Sequence, residues 1–278
     1  MSDGAGRVAG KVAFVTGAAR GQGRSHAIRL AEEGADVIAL DLCRPIDSVP
    51  YPMAEPDDLA ETIAAVEKAG RQAVSIQADV RDFEQLRQQL DDAVATLGRL
   101  DIVCANAGIV SYGMIEEMST EVWRDVIDVN LTGAWHTVKA AVPHLLAAGG
   151  GSVVLTSSTA AFHGLAALGH YVSAKHGLIG LMRTLALELG PRGIRVNAVC
   201  PGTVRTPMVE NDNLYRTRFP GVENPVFEEL AASLSANPLG IPYVEPVDIT
   251  NAVLFLASDE ARYVTAVALP VDAGALAR

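Results

Sequence analysis

The chain is short of positive charge, and of lysine above all. Its 278 residues carry 22 Lys and Arg against 33 Asp and Glu, a formal net charge of −11. Lysine stands at only four positions, 11, 68, 139 and 175. No basic patch can be assembled from these, so neither a nucleic acid nor an anionic membrane surface is expected as a partner. Cysteine is equally scarce. Cys43, Cys104 and Cys200 are far apart and form no CxxC pair or Cys/His spacing. Neither a metal site nor a disulfide framework is expected; three small buried hydrophobes in a reducing cytosol are. No apolar run reaches the roughly 18 residues that span a bilayer. The opening "MSDGAGRVAG" has no basic start with an apolar segment behind it. The expectation is a cytoplasmic protein.

What is present is ordinary globular material, 49% hydrophobic and 20% charged. Short apolar, β-branched runs alternate with longer helical patterns. Strands are expected at 11–17, 36–41, 72–80, 100–108, 150–158, 194–202 and 265–274, with helices over 58–70, 82–97, 119–148, 170–190 and 246–257. Alternation of this kind implies parallel pairing through right-handed crossovers. The strands read as apolar throughout, as a sheet covered on both faces requires. The expected fold class is α/β: one Rossmann-like, doubly wound parallel sheet of about seven strands with helices on both faces, its ligand at the strands' carboxyl ends. Two stretches break the rhythm. Residues 203–245 hold five prolines together with Tyr215, Phe219 and Phe227, and are expected to form a lid or binding element. "DLCRPIDSVPYPMAEP" (41–56) holds four prolines immediately after the second strand.

The first strand runs into "TGAARGQG" (16–23), with glycines at 17, 21 and 23. Glycines let backbone turn tightly against a pyrophosphate, while the helix amino end supplies N–H donors. Asp41 then ends the second strand, 18 residues beyond Gly23. A carboxylate there accepts hydrogen bonds from the adenosine ribose hydroxyls and repels a 2′-phosphate, which favours NAD over NADP. Arg20 argues the other way by offering a phosphate partner. A carboxylate facing a phosphate outweighs it. The plainer alternative for Asp41 is a strand-end cap.

Tyr171 and Lys175 in "YVSAK" are four apart and share a helical face. "TSS" (156–158) ends the preceding strand, at the edge where the ligand belongs. Ser158 lies 13 residues before Tyr171 and Ser157 lies 14 before it, so Ser157 is the alternative hydroxyl. "NAG" (106–108) ends the fourth strand, and Asn130 in "DVNLTG" interrupts the next helix, with a mere helix kink as its alternative. His163 and His170 flank Tyr171 and are either substrate contacts or packing groups.

Together these motifs resemble the short-chain dehydrogenase/reductase family, from "TGAARGQG" through "ADV", "NAG", "YVSAK" and "PGTVRTPM" to "VDAG". The resemblance implies one NAD-binding domain over 1–278 that oxidises an alcohol, with Asn130, Ser158, Tyr171 and Lys175 as the catalytic set. A phenol is a poor base near neutrality unless its anion is stabilised. The Lys175 ammonium and the positive nicotinamide of NAD are expected to favour the Tyr171 phenolate, and Ser158 to fix the substrate oxygen. By the same resemblance Lys175 binds the nicotinamide ribose, and Asn130 holds a water linking the lysine to solvent. It implies cofactor contacts from Gly17, Arg20, Gly21, Gln22 and Gly23 in the turn, and from Asp41 and Leu42 after it. Asp79 and Val80 are expected at the adenine, and Asn106, Ala107 and Gly108 behind the ribose. Pro201, Gly202, Val204 and Thr206 are expected along the nicotinamide, beside Tyr171 and Lys175. Family members commonly pair the helices corresponding to 119–148 and 170–190 between subunits. Small residues at Ala174, Gly177, Gly180 and Ala186 fit such pairing, so a homotetramer is expected; the alternative is that both helices simply cover the sheet.

The proline-rich stretch is longer than the family's usual passage at this point. Proline fixes φ and withholds a donor, so an extended, stiff run with little regular pairing is expected. The span "GAARGQG" to "DLCRPIDSVPYP" closely resembles the carveol-dehydrogenase-like, mycofactocin-associated subfamily. That resemblance implies NAD that does not exchange freely, covered by residues 43–56 and recycled in place by a peptide-derived redox carrier, mycofactocin. An inert surface insertion is the alternative. The substrate class implied is an apolar, terpenoid-like secondary alcohol or its ketone. The rival readings are an ordinary NAD-exchanging steroid or 3-oxoacyl reductase of the same family, and a non-catalytic NAD-binding protein.

Overall fold

The computed structural model describes residues 6–219, 227–234 and 237–277. The chain alternates β1 (Val12–Thr16), α1 (Gly21–Glu32), β2 (Asp36–Asp41), α2 (Pro56–Lys68), β3 (Ala73–Gln77), α3 (Phe83–Leu97) and β4 (Ile102–Ala105). It continues through α4 (Thr120–Ile127), α5 (Gly133–Ala147), β5 (Gly151–Thr156), α6 (Gly169–Leu189) and β6 (Ile194–Pro201). The last elements are α7 (Asp212–Arg218), α8 (Phe227–Leu234), α9 (Pro246–Ala257) and β7 (Ala268–Val271). The seven strands form one sheet in the order β3-β2-β1-β4-β5-β6-β7, and every pairing is parallel. The chain winds outward from β1 to β3, then crosses back to β4 on the other side of β1. That reversal opens a crevice at the carboxyl ends of β1 and β4, where an open α/β sheet holds its ligand.

Strand side chains alternate between two cores. Phe14, Ile38 and Leu40 meet Leu86 and Leu90 of α3, Val138 and Leu145 of α5, and Leu178 and Met182 of α6. Ala13, Val15, Val37 and Ala39 face the other way, onto Leu30 of α1, Leu59 of α2 and Leu254 of α9. Each large apolar side chain buried in this way contributes about 1.5–3 kcal/mol. The expectation of strands apolar throughout holds for the middle of the sheet and fails at its edges. Ser75 and Gln77 of β3 are exposed, and β7 is only half-buried, because each edge strand has a neighbour on one side only.

Local chemistry sets the helix ends. Glu55 and Asp58 form a reciprocal capping box on α2, whose first residue is Pro56. The Asp82 carboxylate accepts the Gln85 N–H at 3.1 Å to start α3, and Gly98 at φ 86° ends it. The expected helix over 119–148 is two helices joined by a π-helical turn, Asp128–Thr132, with Asn130 at its centre. Such turns widen the backbone and re-aim a side chain.

Of the four small residues expected to admit a partner helix, Ala174 and Ala186 are already buried within the chain. A Cβ on Gly177 would come 2.8 Å from Leu131 of the same subunit, and only Gly180 faces open space.

Residues 43–56 form neither strand nor helix up to α2. They are no surface appendage: Cys43, Ile46, Tyr51 and Ala54 are buried. The lid expected over 203–245 is described in part, with 220–226 and 235–236 outside the described residues. Its described portions gather a separate apolar cluster of Leu214, Phe227 and Leu230, against which Tyr112 and Tyr243 pack. No helix among the described residues is long and apolar enough to cross a membrane.

Candidate active site

The crevice is lined by the glycine turn, by the ends of β2, β4, β5 and β6, and by the proline-rich stretch. Gly17 and Gly21 adopt φ of +67° and +56°, where a side chain is strained. A Cβ on Gly17 would lie 2.9 Å from the Ala107 Cα, and one on Gly23 2.0 Å from the Gly17 carbonyl oxygen. Gly23 therefore closes the helix onto the turn and, unlike its neighbours, does not line the cleft. The Thr16 hydroxyl accepts the Asn106 and Ala107 amides, each at 3.1 Å. Asn106 donates to the Thr16 carbonyl at 3.0 Å and accepts from the Thr156 hydroxyl at 3.2 Å. One amide side chain thus ties the ends of β1, β4 and β5 together.

Asp41 lies at the cleft wall and accepts the Ala19 N–H at 3.0 Å and the Cys43 N–H at 3.2 Å. Cys43 takes φ +51° to reach it. Each carboxylate oxygen keeps acceptor capacity for a ribose hydroxyl. Asp79 is clamped by Arg81, whose guanidinium donates at 2.7 Å and 3.0 Å, and Arg44 approaches at 3.7 Å. Burial alone would raise the Asp79 pKa; the Arg81 hydrogen bonds and the two guanidinium charges win and hold it below the usual carboxylate range. Arg81 also reaches Asp125 on α4 at 2.7 Å. The Gln22 amide oxygen is buried in the wall with no partner among the described residues. Glycine backbone held open, a cleft-wall carboxylate with acceptor capacity to spare and an unspent amide together fit a dinucleotide.

At the catalytic end the Lys175 Nζ donates to the Thr156 carbonyl at 2.8 Å and stands 5.4 Å from the Tyr171 ring centre. Burial pushes the lysine down to about 8, weakly opposed by the Cys200 thiol. Burial raises the Tyr171 pKa, and only its hydrogen bond with Ser158 pulls the other way. Phenolate formation therefore waits on positive charge entering the cleft. Asn130 is buried behind this pair. Its Oδ1 accepts the Ile109 N–H and its Nδ2 donates to the Ile109 carbonyl, both at 2.8 Å. It is thus a strap on the β4 loop as well as the centre of a π turn. A Cβ on Gly108 would sit 3.3 Å from the Asn130 Oδ1 and 3.7 Å from the Lys175 Nζ, so these three groups converge.

The profile of the family described as enoyl-(acyl carrier protein) reductase matches residues 17–275. A (−)-trans-carveol dehydrogenase of Rhodococcus erythropolis is 55% identical over 96% of this chain and 98% of its own length. The crystal structure of a carveol dehydrogenase from Mycobacterium avium in complex with NAD superposes with a TM-score of 0.94 at 56% identity, covering 98% of this chain and 100% of that one. This chain is a short-chain dehydrogenase/reductase. A more distant member, trans-4-hydroxycyclohexanecarboxylate dehydrogenase of Sinomonas cyclohexanicum, is 38% identical over 96% of this chain and 93% of its own length.

In this short-chain dehydrogenase/reductase the two serines are engaged differently, although both line the cleft. The Ser157 hydroxyl is buried and donates to the Lys175 carbonyl at 3.0 Å, a packing role, while Ser158 bonds to Tyr171. His163 is exposed. His170 is buried, shares a 2.8 Å hydrogen bond with Ser111 and accepts the Tyr171 amide at 2.9 Å. Neither histidine lines the cleft. The cysteines are free and buried; burial pushes Cys43 and Cys104 up to about 12 and Cys200 to about 11. No group of metal ligands occurs among the described residues.

Gly17, Arg20, Gly21, Gln22, Asp41, Leu42, Asp79, Val80, Asn106, Ala107, Gly108, Ser158, Tyr171, Lys175, Pro201, Gly202, Val204 and Thr206 all line one cleft. Tyr51 and Met53 of the expected cover, Met208 of the expected lid, and Ile109 line it as well, though none was singled out by the sequence. Tyr51 carried one signal, a lone aromatic between two prolines.

Proposed function

We propose that this short-chain dehydrogenase/reductase moves a hydride between a secondary alcohol, or its ketone, and NAD. The convergence of Ser158, Tyr171 and Lys175 beside the glycine turn and Asp41 carries the proposal. When bound, NAD supplies the hydride acceptor. Ser158 holds the substrate oxygen against the Tyr171 phenol, which takes the hydroxyl proton in oxidation and returns it in reduction. Lys175 is the proton's onward neighbour, and Asn130 keeps the loop beside it in place and holds a water that connects it to solvent. Asp41 meets the adenosine ribose and sets the preference for NAD.

The substrate is an apolar, ring-bearing secondary alcohol of terpenoid type. The names of the carveol and hydroxycyclohexanecarboxylate dehydrogenases support this class, as do Ile109 and Met208 in the lining of the cleft that holds the phenol. Residues 43–56 cover the cofactor, hold it through many turnovers and leave its re-oxidation to an external two-electron carrier, mycofactocin. Four subunits assemble through α4, α5 and α6; exposed Trp135 and Leu187 on α5 and α6 support that surface.

Protein purified without added nucleotide should carry NAD, visible in its absorbance and released on denaturation. It should oxidise cyclic secondary alcohols with an artificial electron acceptor and no added NAD. Fast steady turnover on exchangeable NAD, with none co-purifying, would instead identify an ordinary exchanging reductase. Unchanged chemistry in Tyr171→Phe would leave a non-catalytic NAD-binding protein.

A further inference from the structure

Tyr51 belongs to the proline-rich insertion, yet it lines the cleft. It is 6% exposed, and its Oη accepts the Val110 amide hydrogen at 3.2 Å. A phenol oxygen has two acceptor sites and one hydrogen to give. The amide uses an acceptor site. No protein acceptor takes the hydrogen among the described residues. Burial raises the phenol's pKa, so the hydrogen stays in place at any working pH. Arg20, at the glycine turn, acts on the phenol electrostatically, and so do Tyr112 and Tyr171 at the substrate end. Tyr51 thus shares one cleft lining with Arg20 and Gly21 at one end and Tyr171 and Lys175 at the other, a cleft through which the middle of a dinucleotide passes. A buried donor with no acceptor is costly, and an oxygen on a bound ligand relieves that cost.

We propose that Tyr51 is a cofactor-binding residue whose O–H donates to an oxygen of the dinucleotide beyond the adenosine phosphate, in the second phosphate or the nicotinamide-side ribose. The insertion then supplies a ligand as well as a cover. The Val110 amide fixes the phenol's direction, so the donor is aimed before the nucleotide arrives. This rests on the dinucleotide occupying the cleft, as proposed above.

The test is a fragment series on full-length protein stripped of nucleotide with charcoal. AMP, ADP-ribose and NAD are titrated calorimetrically against the parent and Tyr51→Phe, and the ligand-free melting temperature of each is recorded. The expected result is about tenfold weaker binding of ADP-ribose and NAD in Tyr51→Phe with AMP unchanged, the loss of one hydrogen bond to a partly charged acceptor. Equal weakening of AMP, or a lower ligand-free melting temperature with all three affinities intact, would make Tyr51 a loop fastener only and overturn the proposal. Incorporating 3-fluorotyrosine at position 51 separates the two roles without removing the oxygen, since it is a stronger donor and a weaker acceptor. A donor to the cofactor binds ADP-ribose more tightly, and a mere acceptor for Val110 does not. If charcoal fails to strip the protein, exchange of bound for isotopically labelled NAD reads the same contrast, about tenfold faster in Tyr51→Phe. A parent protein that binds neither NAD nor ADP-ribose refutes the functional reading itself. A parent that binds both, with Tyr51→Phe indistinguishable from it, refutes only the role of Tyr51.

Discussion

Two proline-rich excursions border the same cleft, and they are held in opposite ways. Residues 43–56 contribute Ile46, Tyr51, Met53 and Ala54 to its wall; the stretch after β6 contributes Val204, Thr206, Met208 and Val209. The first excursion sinks four side chains into the protein and is fastened at two separate places. Ser48 donates to Asp125 at 2.6 Å and Tyr51 accepts from Val110, while Arg44, 3.7 Å from Asp79 and largely exposed, adds little. The second keeps its own small cluster of Leu214, Phe227 and Leu230. Its polar clasp is Arg205, which pairs with Glu210 at 3.1 Å, bonds the Tyr243 hydroxyl at 3.1 Å and stacks on Phe227. Arg205 and Glu210 are each more than a third exposed, 37% and 39%, where an ion pair holds weakly. Similar composition thus gives a wall tied to the body of the protein on one side and one that packs largely on its own cluster on the other. The exposed Arg205 clasp is the point at which the second side can be loosened.

The largest expected effect isolates chemistry from both excursions. Tyr171→Phe should lower kcat by ~10²–10⁴, the usual worth of positioned acid–base help, while bound NAD and the melting temperature stay as they were. The next breaks the wall tied to the body. Asp125→Ala removes the acceptor shared by Ser48 and Arg81, and loss of a hydrogen bond to a charged group is worth about 1.5–3 kcal/mol. NAD release, followed by labelled-cofactor exchange, should quicken at least about tenfold, with single-turnover hydride transfer little changed. Breaking the looser clasp with Arg205→Ala should raise KM for a cyclic alcohol several-fold and leave NAD exchange alone. Faster NAD exchange in Arg205→Ala would erase the contrast between the two sides.

A last prediction concerns the place where α1 packs on α9. His26 is fully buried there and shares a 2.7 Å hydrogen bond with Thr250. Burial lowers its pKa to about 3. The folded protein binds this proton less readily than the unfolded chain, so the stability it contributes is full above about pH 6.5 and falls by about 1.4 kcal/mol per pH unit below it, down to the folded value. His26→Asn, which keeps a donor for Thr250, should flatten that part of the melting temperature against pH.

The sheet, the glycine turn and the Tyr171–Lys175 face were legible because each rests on local chemistry: apolar runs, glycines where φ is positive, and helical spacing. Asp41 was legible because a strand end fixes where its carboxylate lies. What escaped depends on residues distant in sequence. Nothing near Ser48 announces Asp125, and nothing near Tyr51 announces the Val110 amide. The two serines differed by one residue, and only their packing, Ser157 beneath Lys175 and Ser158 beside Tyr171, told them apart. The small residues of α6 were hard to read for a related reason. Small side chains mark close contact without saying with what, and Gly177 meets Leu131 of its own subunit.

The fastening of residues 43–56 limits how the stretch can be moved between proteins. Val110 offers only a backbone amide, which a recipient of the same fold supplies whatever residue stands there. Asp125 and Arg81 act through side chains that lie far along the chain. A transplant of the insertion alone would carry the prolines and Tyr51 but leave Ser48 without its acid. The smallest portable unit is therefore the loop together with Arg81 and Asp125, two substitutions that no alignment of the loop itself would suggest.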